Sequence, residues 1–208
     1  MRFTENDVMS LREEVKKRLS DRRYAHTLGV LNMAEWLAEK CDPEHLPEIR
    51  VAALLHDITK ELTVTEQYDL LKEYGIFIPE GEGPGEAILH SVTAPLMICR
   101  DFPKFASNRI MSAVRVHTTG SPDMSVTDKI IFLADFIEEN RTYPECISLR
   151  SFVLSSMQDG AFELNLKTLN EASLRMIEST LLHLEEKGRE VDPITYETRD
   201  ELKRQLQI

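Results

Sequence analysis

Apolar residues recur at helical spacing along nearly the whole chain, and no stretch alternates apolar and polar residues over the length of a strand. Asn6–Leu19 places Val8, Leu11, Val15 and Leu19 on one face, and Asp21–Lys40 continues with Leu28, Leu31, Met33 and Leu37. Leu46–His56 carries Ile49, Ala52, Ala53 and His56 at the i, i+3, i+4, i+7 spacing of a buried stripe. Further helices are expected over Thr63–Tyr74, opened by Thr63 or Thr65, and near Ala87–Arg100, Ser107–His117 and Thr127–Glu138. A long one is expected from about Ser155 to Lys187, closed by Gly188, and a last one near Ile194–Leu206 after Asp192-Pro193. Tyr74 to Gly85, with its GEGPG run, breaks the pattern and reads as a flexible connector or a lid. The fold class is therefore all-α, and 208 residues suit one domain with a core large enough to need no structural metal.

The formal net charge of −11 argues against a surface built to hold duplex nucleic acid or anionic lipid, while leaving room for a small, locally positive pocket. No apolar run approaches the roughly 20 residues of a membrane span, and the opening MRFTENDVMS lacks the apolar stretch of a signal peptide. A cytoplasmic protein is expected. Cys41, Cys99 and Cys146 are odd in number, far apart and outside any CxxC pair, as suits reduced thiols filling apolar space. Without a secretory route, the Asn140-Arg141-Thr142 sequon is a coincidence of letters.

Six histidines occur, and four of them, His26, His56, His90 and His117, fall on apolar helical faces or at helix ends. His45 and His183 read as surface residues. Asp57 follows His56 directly, and Asp135 interrupts the apolar sequence IIFLADFI, where a carboxylate is costly to bury. Singly, a histidine on an apolar face is more simply a satisfied core residue. Together, four imidazoles and two carboxylates form a set that a first-row divalent metal accepts, and clustering would remove the cost of burying them. Trp36 and Tyr24 read as core aromatics, and Arg109 and Arg115 as solvated, with Arg115 the better pocket candidate of the two.

The spaced His…His-Asp…Asp signature resembles the HD superfamily of metal-dependent phosphohydrolases, and His90 and His117 resemble the subset that holds two metals. The segments RYAHTLGV (Arg23–Val30), HDITK (His56–Lys60), HSVTAP (His90–Pro95), VHTTG (Val116–Gly120) and LADFIEENR (Leu133–Arg141) together are similar to the YqeK family. Its members are symmetrical bis(5'-nucleosyl)-tetraphosphatases, which cut diadenosine tetraphosphate into two ADP. The likeness runs from about His26 to Arg150 and weakly beyond. It implies an HD-domain helical bundle with a metal centre between core helices at about residues 20–150, and additional C-terminal helices over about 151–208. The chain departs from the family at Ser121-Pro122, where Arg-Pro is usual, and at Arg199-Asp200, where an Asn is common.

Carried over position by position, the resemblance implies one ion held by His26, His56, Asp57 and Asp135. A second would be held by Asp57 as a bridge with His90 and His117. The family's metal is iron; nitrogen and oxygen ligands by themselves also suit manganese, zinc, cobalt or nickel. The resemblance places the first ADP half on His26, Lys60, His90, His117, Asp135, Phe136 and Arg141. Two divalent ions with two carboxylates leave a positive centre, and Lys60 and Arg141 add cations suited to phosphate. The acidic remainder of the chain is screened within about 8 Å at physiological salt. The chemistry expected is attack of a hydroxide held between the ions on phosphorus in line, with Asp57, Lys60 and Arg141 as catalytic groups. Thr118-Thr119-Gly120 could lend backbone N–H groups to a phosphate or simply cap a helix.

Two other readings share the metal set. One is another HD-type phosphohydrolase, acting on nucleoside monophosphates or guanosine alarmones. The other is a non-catalytic nucleotide sensor. Oligomeric state is open, because the C-terminal helices could pack on their own core or on a second copy in a homodimer.

Overall fold

The computed structural model describes residues 3–78 and 83–208, and residues 81–82 of the GEGPG run fall outside them. Ten α-helices and no strand occur among the described residues. They are α1 (Glu5–Arg18), α2 (Asp21–Cys41), α3 (Leu46–Leu55), α4 (Val64–Glu73), α5 (Glu86–Asp101), α6 (Asn108–Val116), α7 (Val126–Ile137), α8 (Pro144–Ser156), α9 (Phe162–Glu186) and α10 (Pro193–Leu206). Five of them start at a Ser or Thr whose hydroxyl accepts an orphan backbone N–H: Thr4, Ser20, Thr63, Ser107 and Ser125. Thr63–Glu66 and Ser125–Asp128 complete this into reciprocal capping boxes. None of the described helices is long and apolar enough to cross a membrane.

The core is built around α2, α3 and α7. Helix α7 packs against α2, α6 and α9, which explains why Ile130, Ile131, Phe132, Leu133, Ala134 and Ile137 are all buried: a helix with neighbours on most sides has little solvated face. Val51–Leu55 of α3 is buried throughout for the same reason, between α1, α2, α6 and α7. Both apolar runs end at residues of the metal-ligand type, so the buried core of the molecule positions them.

The long helix expected from about Ser155 begins instead at Phe162 as α9, and a separate helix not expected from the sequence, α8, precedes it and ends at Ser156. Pro144 opens α8 as its first residue, where its missing N–H costs nothing. Gly160, at φ 73°, turns the chain between them. Asn165 locks that turn, its side chain bonding both backbone N–H and carbonyl of Gln158 and the carbonyl of Lys40. Helices α9 and α10 lie on the chain's own core, α9 against α7 and α2 through Leu169, Ala172 and Ile177. Gly120, at φ 73°, gives α10 a close approach: a Cβ there would lie 2.6 Å from Thr198 Cγ2.

Candidate metal centre

Five elements bring the histidines and carboxylates to one place. His26 projects from the second turn of α2; His56 caps α3, with Asp57 next in the turn; His90 lies in α5; His117 caps α6; Asp135 stands in the last turn of α7. The imidazoles form a row, His26–His56–His117–His90, with successive ring centroids 5.5, 5.1 and 5.0 Å apart. Asp57 spans the row. Its Oδ2 lies 3.7 Å from His26 Nε2 and 3.5 Å from His56 Nε2, while Oδ1 lies 3.3 Å from His90 Nε2 and 3.7 Å from His117 Nε2. Asp135 Oδ1 is 3.0 Å from His26 Nε2 and 3.9 Å from His56 Nε2.

Local backbone geometry decides which ring nitrogen each histidine offers. His56 Nδ1 donates to the Ala53 carbonyl and His117 Nδ1 to the Val114 carbonyl, each at 2.7 Å. A carbonyl can only accept, so Nδ1 carries the proton and Nε2 presents its lone pair to the cluster. These bonds exist because both residues sit at helix ends, where the last carbonyls lack intrahelical partners.

The donors fit a metal ion. Nε2 of His26 and of His56 are buried and, among the described residues, have no hydrogen-bond partner, although carboxylate oxygens face them. His26, His56 and Asp135 offer ligand atoms all within 4.8 Å of one another, and so do His56, Asp57 and His117. Burial lowers His56 to about 4, and burial with the neighbouring His117 lowers His90 to about 2, so both are neutral, the form that binds metal. Burial also pulls His26 down, but the carboxylates of Asp135 and Glu138 outweigh it and raise the imidazole to about 9. Asp57 and Asp135 go the opposite way from what burial would do, held well below the usual carboxylate range by the surrounding imidazoles and, for Asp135, by Arg141. The cluster therefore gathers two ionised carboxylates and the neutral imidazoles of His56 and His90, the donor chemistry that a metal ion accepts.

A cavity of about 420 Å³ opens over the centre, within the range of small-molecule sites of about 300–1,000 Å³. Asp57, Lys60, His90, His117, Asp135, Phe136 and Arg141 line one side. His26, which sequence reasoning placed against both metal and substrate, does not line it; its ring stands behind Asp57 and Asp135. Lys60 Nζ donates to the Ala87 carbonyl at 3.2 Å and lies 3.1 Å from His90 Nδ1, and burial lowers its pKa. Arg141 Nη2 bonds Asp135 Oδ1 at 2.8 Å.

Several residues of the site were not assigned from sequence. Arg23 Nη1 bonds Asp57 Oδ2 at 2.7 Å; it lies one helical turn before His26, a signal that periodicity alone could have supplied. Glu138, three residues beyond Asp135, bonds His26 Nδ1 at 3.1 Å. Thr118, offered from sequence for its backbone N–H, brings its side-chain Oγ1 within 3.2 and 3.1 Å of Nε2 of His90 and His117. The far wall comes from Met176, Thr180, His183 and Leu184 of α9, with Tyr143 and Cys146. His183 is exposed, as read from the sequence, but it stands on the rim of this cavity. Arg115, the better pocket candidate of its helix, lies instead in a separate cavity with Ser121, so the residue that departs from the family's Arg faces away from the metal cluster's pocket.

Comparison with known proteins agrees with this geometry. The family model described as HD domain matches residues 23–140, a span that contains all six clustered His and Asp residues. A symmetrical bis(5'-nucleosyl)-tetraphosphatase of Bacillus subtilis is 28% identical over 184 residues, 88% of this chain and 91% of that protein. Its namesake from Halalkalibacterium halodurans is 30% identical over 188 residues, 90% of this chain and 92% of that one. A crystal structure of a "predicted HD superfamily hydrolase involved in NAD metabolism" from Clostridium acetobutylicum superposes with a TM-score of 0.79 at 24% identity, covering 99% of this chain and all of the other.

Proposed function

The chain belongs to the HD-domain family, and we propose that it is a metal-dependent hydrolase that cuts diadenosine tetraphosphate symmetrically into two ADP. The observation that carries the chemistry is Asp57, whose two oxygens face two different imidazole pairs at the floor of a cation-ringed cavity. The substrate reading rests on the two relatives that match this chain over about nine-tenths of their length and are named for that reaction. We infer two first-row ions, iron among the borderline candidates. His26, His56, Asp57 and Asp135 would hold one, and Asp57, His90 and His117 the other. Bound there, divalent ions supply Lewis acidity toward phosphoryl oxygens and make a water acidic enough to attack near neutral pH.

The protein's own groups then do the positioning. Lys60 and Arg141 flank the carboxylates at the cavity wall and bind the non-bridging oxygens on which charge develops, Arg141 as a planar fork and Lys60 as a point charge. Arg23 holds Asp57 from the solvent side and adds a third cation at the mouth. A nucleoside seated between Phe136 and the apolar Met176 and Leu184 of α9 would place its own two phosphates on Lys60 and Arg141. The central phosphoanhydride bridge would then lie at the metals, the register that yields two ADP. The free thiols of Cys41, Cys99 and Cys146 suit the cytoplasm in which such a reaction would run.

Lys60→Ala and Arg141→Ala separate substrate binding from metal binding. Each removes a charge-assisted phosphate contact worth about 1.5–3 kcal/mol, so ADP affinity measured by calorimetry should fall about 10- to 100-fold. Bound metal, measured by elemental analysis, should stay near the native level. Unchanged ADP affinity would return both side chains to the solvated surface.

A further inference from the structure

His26 differs from His56 and His117 in one structural respect: it lies inside a helix rather than at its end. The backbone carbonyls around it are already engaged in the hydrogen-bond ladder of α2, unlike the end carbonyls that His56 and His117 meet. The acceptor comes from elsewhere. Glu138, the first residue beyond α7, turns its buried side chain back so that Oε1 meets His26 Nδ1 at 3.1 Å. Its other oxygen accepts from Asn140 N at 2.6 Å and Asn140 Nδ2 at 2.9 Å. Asn140 Nδ2 also reaches the Ala25 carbonyl at 3.3 Å, next to His26 in α2. Arg150 holds this segment by donating to the carbonyls of Ile137, Glu138 and Arg141.

The helix makes room for this carboxylate. A Cβ on Gly29 would lie 2.1 Å from Glu138 Oε2 and 2.9 Å from Asn140 Nδ2. Glycine inside a helix costs roughly 0.5–1 kcal/mol relative to alanine, and the close seat of Glu138 against α2 accounts for its presence.

We propose that Glu138 is a positioning residue of the metal centre: by accepting the Nδ1–H of His26 it fixes that ring and tautomer, and it makes the ion at His26 the more firmly held of the two. An imidazole bonded to a carboxylate is a more basic ligand than one bonded to a carbonyl, and such partners commonly change metal affinity by about 10- to 100-fold. His56 and His117, bonded to carbonyls, lack that reinforcement. The proposal rests on the metal-centre reading given above and adds an inequality between the two sites.

The test titrates metal-free protein with Co²⁺, following the visible ligand-field bands and the heat of binding. Native protein should take up two ions of unequal affinity. Glu138→Ala should weaken the tighter ion about 10- to 100-fold and change its bands while leaving the other near native. Glu138→Gln keeps the volume, but its amide cannot accept from both His26 and Asn140 in the same orientation, so it should lie between native and alanine. Gly29→Ala, which leaves Glu138 in the chain but pushes it from its seat, should reproduce the alanine result. Glu138→Gln and Gly29→Ala proteins that are folded yet bind Co²⁺ with native affinity and bands would overturn the proposal while leaving the metal-centre reading standing. Native protein that takes up no Co²⁺ would overturn both.

Discussion

Asp57→Asn protein should retain its helical content and lose both its metal and its hydrolysis. Asp57 is the side chain whose oxygens face His26 and His56 on one side and His90 and His117 on the other. The change removes one negative charge, and the new NH₂ would meet Nε2 atoms with a donor incapable of holding a cation. Lewis-acid stabilisation worth several kcal/mol corresponds to a rate loss on the order of 10³-fold or more. Initial rates and elemental analysis on the same preparation check both halves. His56→Ala should give the same two losses, with some added instability because its ring is fully buried. A rate within tenfold of native for Asp57→Asn would mean that the centre has been misassigned.

Removing the metal from the native protein should abolish turnover without unfolding the chain. His56, Asp57 and Asp135 follow the apolar runs Val51–Leu55 and Ile130–Ala134, whose burial is packing of one helix on another. Arg23 and Arg141 pair Asp57 and Asp135, which offsets part of the cost of burying those carboxylates. An ion that binds only the native state adds about 2.7 kcal/mol at a free concentration 100 times its dissociation constant. For a chain of this size that raises the melting temperature by about 5–10 °C. Scanning calorimetry with and without metal measures the shift, and Asp57→Asn should show little of it. Collapse of helicity on chelation would show instead that the ion is structural.

Most of the helices were legible in the sequence because apolar spacing and side-chain caps are local. Thr63 and Glu66 announce a helix N-terminus within four residues; the Ser125–Asp128 pair does the same for α7, whose expected start is near Thr127. The clustering of His and Asp side chains was legible for a different reason. A buried His or Asp on an apolar face needs a partner, and several such residues in an all-helical chain can satisfy one another. Helix α8 and the true start of α9 went unread because apolar residues continue across both; Gly160 and the Asn165 lock mark the break only once the turn is seen. Glu138 was hidden by its setting, one charged residue in a polar run after α7, with nothing local to say that its side chain folds back under α2. The α9 wall was unreadable in principle, since Met176 and Leu184 obey the same period whether they face a core or a ligand. Ser121 shows the converse, a departure from the family pattern that the fold places in a different cavity.

The central claim is the register of cleavage, and the products of a single reaction decide it. Metal-loaded protein is incubated with diadenosine tetraphosphate and the nucleotides are separated by anion exchange. ADP as the sole product is the predicted result, because the central bridge is the one placed at the metals when one nucleotide half fills the cavity. ATP and AMP in equal amounts would contradict it, showing that the chain seats its substrate one phosphate away from the register proposed.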